Sequence, residues 1–432
     1  MEIPELYKLY LKHPSIQTDT RKLTKGDIFF ALKGPNFNAN LFARQALESG
    51  AAYAIVDEEP EQPTEKIIRV ADTLKVLQDL AGYHRMQFEN QGAGKKTAFI
   101  AITGSNGKTT SKELVHAVLS STYKTYTTEG NLNNHIGIPL TLLKIKPDAE
   151  IAIIEMGANH QKEIEGYCRY TRPTHGIITN CGKAHLEGFG GVEGIKKGKG
   201  ELFDYLRASN GTAFVMWDYD YLREMSAGIP HVVTYGTHSA TVTGTVQNSS
   251  GLLEVAITND AELGTIKTNL VGEYNLPNIL LAVTVGKYFA VPAEKIKTAL
   301  ENYLPSNSRS QLIEKNSNKI ILDAYNANPT SMKAAIENFA KMDGENKVLL
   351  LGGMMELGQE SLQEHQQLIE LIKKYSWKNV VLVGGDFSKA NHPFINFSNS
   401  VQAREWYQQQ HYSNASILIK GSRSTQMEKV LE

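Results

Sequence analysis

Thr103-Gly104-Ser105-Asn106-Gly107-Lys108-Thr109-Thr110 sets two glycines, a lysine and a row of hydroxyls between an apolar run and a helical pattern. In that context backbone N–H groups and a helix N-terminus cradle phosphates, a lysine neutralises the β/γ charge and a hydroxyl reaches Mg²⁺. Lys108 and Thr109 take those two parts. The loop is a variant of the G-x-x-x-x-G-K-[ST] pattern, two residues shorter, because Ile102 stands five positions before Gly107. The plain alternative is a tight strand-to-helix turn with an exposed lysine; loop, lysine, hydroxyl and flanking elements together favour a nucleotide.

Glu155 ends EIAIIE, where an acid emerges at the carboxyl edge of a parallel sheet and suits a Mg²⁺ ligand, a surface salt bridge being the alternative. His185 follows the next apolar run, with Lys199 fourteen positions later. With Glu155, His185 can build a second cation site, although Mg²⁺ prefers oxygen. Cys181 and His185 lie at a metal-compatible spacing, but two ligands without further cysteines make a poor structural zinc site. DAYNANP reads as a strand ending in an Asn-Ala-Asn-Pro turn that presents Asn326 and Asn328 to a polar backbone such as a dipeptide's. Lys420-Gly421-Ser422-Arg423 stands at the end of the last strand, and Arg423 suits a carboxylate through bidentate hydrogen bonds.

These residues need a scaffold. AFIAIT (98–103) reads as a buried strand and KTTSKELVHAVLSS as a helix with Leu114, Val115, Val118 and Leu119 on one face. EIAIIEM (150–156), GIITN (176–180) and TAFVMW (212–217) extend a largely parallel sheet. From 231 to 271 alternating β-rich segments predict a small antiparallel addition, before LPNILLAVTVGKYF resumes as a helix. ENYLPSNSRSQ (301–311) reads as a linker carrying Arg309. KIILD, KVLLLGG, NVVLVGG and SILIKGS then alternate with helical stretches, as in a second nucleotide-fold-like domain. With another break at FENQGAGKKT, three α/β domains are expected, at 1–95, 96–308 and 309–432.

The 432 residues suffice for several cores, and 45 Lys+Arg against 46 Asp+Glu leave a formal net charge of -1. That balance argues against a general nucleic-acid binder or a tail for anionic lipid, so an anionic ligand needs a local site. Two cysteines suit a reducing compartment and exclude a disulfide framework. The polar N-terminus and the absence of an apolar run of ~18 residues predict a cytoplasmic protein without a membrane span. No heptad seam or apolar patch motivates a dimer, and a monomer is expected.

In order along the chain, TGSNGKTT, EGNLNNHIGIPLTLL (129–143), EMGA, the His185 to Lys199 segment, GEYNLPN (272–278), Arg309, DAYNANPTSM (323–332) and LGGMMELG (351–358) resemble the Mur ligases of peptidoglycan synthesis. The resemblance spans essentially the whole chain. DAYNANP with MMELG is most similar to the member that joins D-alanyl-D-alanine to UDP-N-acetylmuramoyl-tripeptide. It implies an N-terminal UDP-binding domain, a central ATP-binding domain of P-loop type and a C-terminal Rossmann-like domain for the dipeptide. The implied chemistry is ATP-dependent amide synthesis through an acyl phosphate, in which cations offset the repulsion between a carboxylate and a triphosphate.

The resemblance also assigns roles. Thr109, Glu155, His185 and Lys199 would hold the metals, Lys199 as a carbamate (N6-carboxylysine) that turns a cation into an oxygen ligand and requires a neutral amine, which nearby cations favour; Lys196 and Lys197 are close alternatives. Asn275, Asn278, Arg309, Asp323 and Tyr325 fall at nucleotide-contacting positions, with Arg309 suited to charge on a transferred phosphoryl group. Asp19, Thr20 and Arg21, in TDTRKLTKGDIFFALKG, match the UDP-binding start, and Asn131, Asn133 and Asn134 match substrate-contacting positions. The chain departs from the family pattern at Tyr274 (histidine there), Gly353 (aspartate), NFNAN at 36–40 (an Asp-Gly-His stretch) and Met216-Trp217-Asp218 (Asn-Ala-Asp). Rival readings are a sibling amide ligase such as a folylpolyglutamate synthase, which DAYNANP opposes, a non-catalytic descendant, and a P-loop kinase that would leave the C-terminal domain without a task.

Overall fold

The computed structural model describes residues 1–60, 62–89, 96–306, 308–344 and 346–432. The break expected around Gly92 and Gly94 lies outside the described residues. The chain forms two compact units, each assembled from several stretches of sequence.

The first unit takes in residues 1–102, 123–158 and 162–176. Ile16–Gln17, Ile28–Phe30, Tyr53–Val56 and Ile67–Arg69 pair in that order as a parallel sheet. Phe29, Ala31, Ala54 and Val56 pack under Ala39, Ala43 and Ala46, small residues that let the helical layer approach closely. Ile151–Glu155 lies between Ala98–Thr103 and Thr125–Thr127, parallel to both, and its five residues are buried, which explains the unbroken apolar run. The helix Thr73–Met86 starts at an Asp72 cap and uses its last turn as an anchor. There His84 bridges the Tyr7 hydroxyl (2.9 Å) and the Ile145 carbonyl (2.8 Å), while Arg85 Nε donates to Thr171 O at 2.9 Å.

The second unit takes in residues 103–122, 159–161 and 177–432. Thr212–Met216 pairs in parallel with His231–Gly236, whose end pairs in parallel with Val242 and Thr243. The antiparallel part is therefore only Val242–Asn248, Leu252–Ile257 and Thr265–Val271, starting one strand later than the alternation implies. A period of two marks a half-buried strand but carries no direction. Lys108–Ser120 packs against Leu276–Tyr288, a helix buried almost all round.

A six-stranded sheet follows in the order Gln311–Lys315, Asn318–Asp323, Ser416–Lys420, Lys347–Gly352, Asn379–Val383, Ile395–Phe397. Only its first pair is antiparallel. The expected linker thus runs directly into an edge strand at Gln311. No described helix is long and apolar enough to cross a membrane.

Candidate active site

The phosphate-loop motif forms the sharp turn its glycines require. Gly104 has φ 141°, and a Cβ there would lie 2.0 Å from Thr179 Oγ1; Gly107, at φ 80°, opens the helix Lys108–Ser120. Asn180 braces the turn: its carbonyl accepts from Ser105 N (2.9 Å), its Oδ1 from Asn106 N (3.1 Å), and its Nδ2 donates to Asn106 O (3.1 Å). The Ser105 hydroxyl donates to Gly182 O at 2.7 Å, and Lys108 Nζ curls back onto Gly104 O at 2.6 Å and Ser105 O at 3.2 Å. Thr103 and Thr109 are buried. This cradle of oriented amides with a lysine across its mouth fits a polyphosphate.

Asn275 and Asn278, expected as nucleotide contacts, spend their amides on the scaffold. Asn278 Oδ1 accepts from the Ser111 hydroxyl (3.0 Å), its Nδ2 donates to Asn275 Oδ1 (2.8 Å), and Asn275 Nδ2 donates to Val271 O (2.9 Å). They register the helix Leu276–Tyr288 against the first turn of Lys108–Ser120. Tyr274, the departure from the family's histidine, is half-buried and places its hydroxyl 3.2 Å from Ser310 Oγ; desolvation pushes its pKa up.

DAYNANP lies beside this loop. Asn328 caps the helix Pro329–Lys341 in a reciprocal box with Ser331, and its Nδ2 donates to Asn106 Oδ1 at 2.7 Å. The Arg309 guanidinium stacks 3.6 Å from the centre of the Tyr325 ring, and Ser308 and Ser310 on either side have φ 55° and 48°. Asp323 Oδ1 accepts from Ser310 N at 3.2 Å, while Lys420 Nζ donates to Asp323 Oδ2 at 2.6 Å. Arg423 is exposed and paired with Glu428 at 2.8 Å.

His185 (φ 54°) and Glu356 (φ 61°), both left-handed without being glycine, meet at 2.5 Å between Nδ1 and Oε2. The His185 hydrogen bond holds the Glu356 carboxyl below the ordinary glutamate range. Nearby Lys183 Nζ lies 2.5 Å from Glu364 Oε1, and its backbone N–H donates to Thr330 Oγ1 at 3.0 Å. His365, fully buried, accepts Met354 N–H at Nε2 (3.1 Å) and places Nδ1 2.7 Å from Ser361 O, which fixes the Nδ1–H tautomer and the course of the 353–357 loop. Lys199, on the helix Val192–Ala208, is 1% exposed, with Nζ 4.8 Å from the Phe189 ring centre. Lys183 and His365 carry no local pattern that singles them out, and Glu356 and Lys420 lie inside MMELG and KGSR without being marked by them; only the fold brings them here.

In the first unit Glu155 is 1% exposed at its strand end, with Oε1 accepting from Asn133 Nδ2 at 2.8 Å and its N–H donating to Thr128 Oγ1 at 3.0 Å. Asn134 Oδ1 accepts from Ile136 N and Gly137 N, an Asx turn leading into Gly137–Leu143, and Asn131 O accepts from Asn133 N. Asp19 caps the turn Thr20–Lys22 and takes both Nε and Nη2 of the exposed Arg21, which lowers its pKa to about 2. The divergent NFNAN segment has its own network: Asn38 donates to Glu58 (2.9 Å), Asn40 to Asp57 (2.8 Å), and Lys33 pairs with both acids.

Models of the Mur ligase middle domain and of the Mur ligase glutamate ligase domain match residues 102–286 and 308–423. The UDP-N-acetylmuramoyl-tripeptide–D-alanyl-D-alanine ligase of Escherichia coli (strain K12) is 36% identical over 428 residues, covering 96% of this chain and 92% of that one. The chain belongs to the Mur ligase family. The Bacillus subtilis (strain 168) ligase of the same name is 37% identical over 354 residues, 79% of this Mur ligase and 74% of that protein. Crystal structure I of MurF from Acinetobacter baumannii superposes with a TM-score of 0.85 at 32% identity, covering 96% and 92% of the two chains. MurF from Thermotoga maritima in complex with ADP has a TM-score of 0.85 at 24% identity over 98% and 97%, a likeness of fold. The expected α/β architecture and family membership hold.

Proposed function

We propose that this Mur ligase joins D-alanyl-D-alanine to UDP-N-acetylmuramoyl-tripeptide at the expense of ATP, giving the UDP-linked pentapeptide, ADP and phosphate. The observation that carries this reading is the 36% identity with the Escherichia coli ligase over nine-tenths of both chains. A carboxylate oxygen of the tripeptide attacks the γ-phosphorus and ADP leaves. The dipeptide amine, having lost a proton, then attacks the acyl carbon, and the C–O bond to phosphate breaks.

Lys108 and the Thr103–Thr110 amides bind and orient the triphosphate, and Arg309, held flat on Tyr325, meets charge on the transferred group. Asp323 and Tyr325 complete the nucleotide site, with Asn275 and Asn278 holding the helix behind the phosphate loop in register; Asn326 and Arg423 face the dipeptide, Asn328 ties their turn to the phosphate loop, and Asp19, Thr20, Arg21, Asn131, Asn133 and Asn134 serve the UDP-linked substrate. The three expected domains, 1–95, 96–308 and 309–432, divide these tasks.

No cluster of three His, Cys, Asp or Glu converges among the described residues. Mg²⁺ keeps several waters and takes few protein ligands beside substrate phosphates. Thr109, Glu155, His185 and carbamoylated Lys199 would hold it, and when bound it neutralises the anions that must meet. The burial of Lys199 supports the modification by keeping the amine out of bulk water. A cytoplasmic monomer completes the proposal. Offering D-alanyl-D-alanine, D-glutamate, meso-diaminopimelate and lysine in competition, with product masses read, tests it: a pentapeptide product alone supports it, and a single-amino-acid adduct overturns it in favour of a sibling ligase.

A further inference from the structure

Lys420 ends the strand Ser416–Lys420, between Asn318–Asp323 and Lys347–Gly352, and its side chain is 2% exposed. An ammonium has three donors and no acceptor. One hydrogen bond goes to Asp323 Oδ2 at 2.6 Å and another to Asn326 O at 3.2 Å, with Asp323 O at 3.5 Å. Burying such a pair is costly, and an apolar residue of similar volume often serves stability as well or better. A buried lysine here is therefore best understood by what it places.

It places two things. Asp323 keeps Oδ2 on Lys420 and turns Oδ1 to Ser310 N–H, next to Arg309. Asn326 O is pinned in the turn that leads to Asn328, whose amide reaches Asn106 of the phosphate loop. The same ammonium thus fastens a carboxylate on the nucleotide side and the turn on the dipeptide side.

We propose that Lys420 is a positioning residue that couples the dipeptide and nucleotide sites, an inference that rests on the ligase reading above. A dipeptide that orders the Asn326–Asn328 turn sets Asp323 and the Arg309 segment through Lys420, so each ligand tightens the other reciprocally.

The test is nucleotide affinity, measured calorimetrically with a non-hydrolysable ATP analogue, with and without saturating D-alanyl-D-alanine. The wild type is expected to gain about fivefold or more with dipeptide, and Lys420→Met to fall below about twofold. Lys420→Met/Asp323→Asn, which leaves no unpaired carboxylate, is expected to fold like the wild type and also to lose the gain. A merely structural lysine would lower thermal stability and both affinities but leave their ratio intact. A ratio preserved in a folded Lys420→Met or in the double variant, or no gain in a wild type that ligates the dipeptide, overturns the coupling. A wild type that binds nucleotide but makes no pentapeptide overturns the ligase reading instead.

Discussion

Asn328 does two separable jobs: its Oδ1 caps the helix Pro329–Lys341 by accepting from Ser331 N (2.9 Å), and its Nδ2 donates to Asn106 Oδ1 (2.7 Å). Asn328→Ser keeps a good cap but is too short to reach Asn106, whereas Asn328→Ala loses both functions. Serine and asparagine are near-equal caps, and alanine costs about 1 kcal/mol. Losing a bond to a part-buried partner costs about 1–3 kcal/mol, which at about 1.4 kcal/mol per decade lowers kcat/KM by roughly 5- to 150-fold. The two variants should therefore share the same loss of kcat/KM, while Asn328→Ala melts about 2–4 °C below Asn328→Ser. Asn106→Ala should give a comparable loss, and the double variant Asn106→Ala/Asn328→Ser less than the product of the singles. Steady-state phosphate release and thermal denaturation of the four proteins measure this. Wild-type kcat/KM in Asn328→Ser, or activity that follows melting temperature across the set, would refute the reasoning.

Three further expectations concern the loop, the buried lysine and acid stability. Gly104→Ala, whose new methyl meets Thr179 Oγ1 at 2.0 Å on a φ of 141°, should lower nucleotide affinity at least tenfold in calorimetry. Lys199→Ala should nearly abolish ligation, with formate or acetate restoring part of it as a substitute carboxylate; full activity without either would exclude the carbamate role. Burial pushes His175 down to about 4 and also lowers His84 and His365, so the unfolded chain takes up protons first as pH falls below about 6.5. Stability from these groups is complete above that pH and is lost toward pH 4; His175→Gln should remove up to about 3 kcal/mol of that pH-dependent stability and so flatten the fall of melting temperature with pH.

The phosphate loop was legible because strand, glycines, lysine and helix follow one another within the reach of local sterics. The strands 98–103, 151–155 and 212–216 announced themselves as unbroken apolar runs for the same reason that they are buried on both faces. What the sequence withheld is long-range. Asn106 and Asn328 are 222 positions apart, and Lys420, 97 positions from Asp323, meets it only because the last strand inserts between two earlier ones. No local pattern encodes that insertion, so Lys420 read as an ordinary residue beside Arg423. The direction of His231–Gly236 was equally hidden, since alternation is the same for both pairings.

The most direct test is phosphate release from ATP by the purified protein with UDP-N-acetylmuramoyl-tripeptide, with and without D-alanyl-D-alanine, and the product mass read in parallel. The account predicts release that requires both substrates and yields the mass of the UDP-linked pentapeptide. ATP binding without such turnover, or release that ignores the dipeptide, would contradict it.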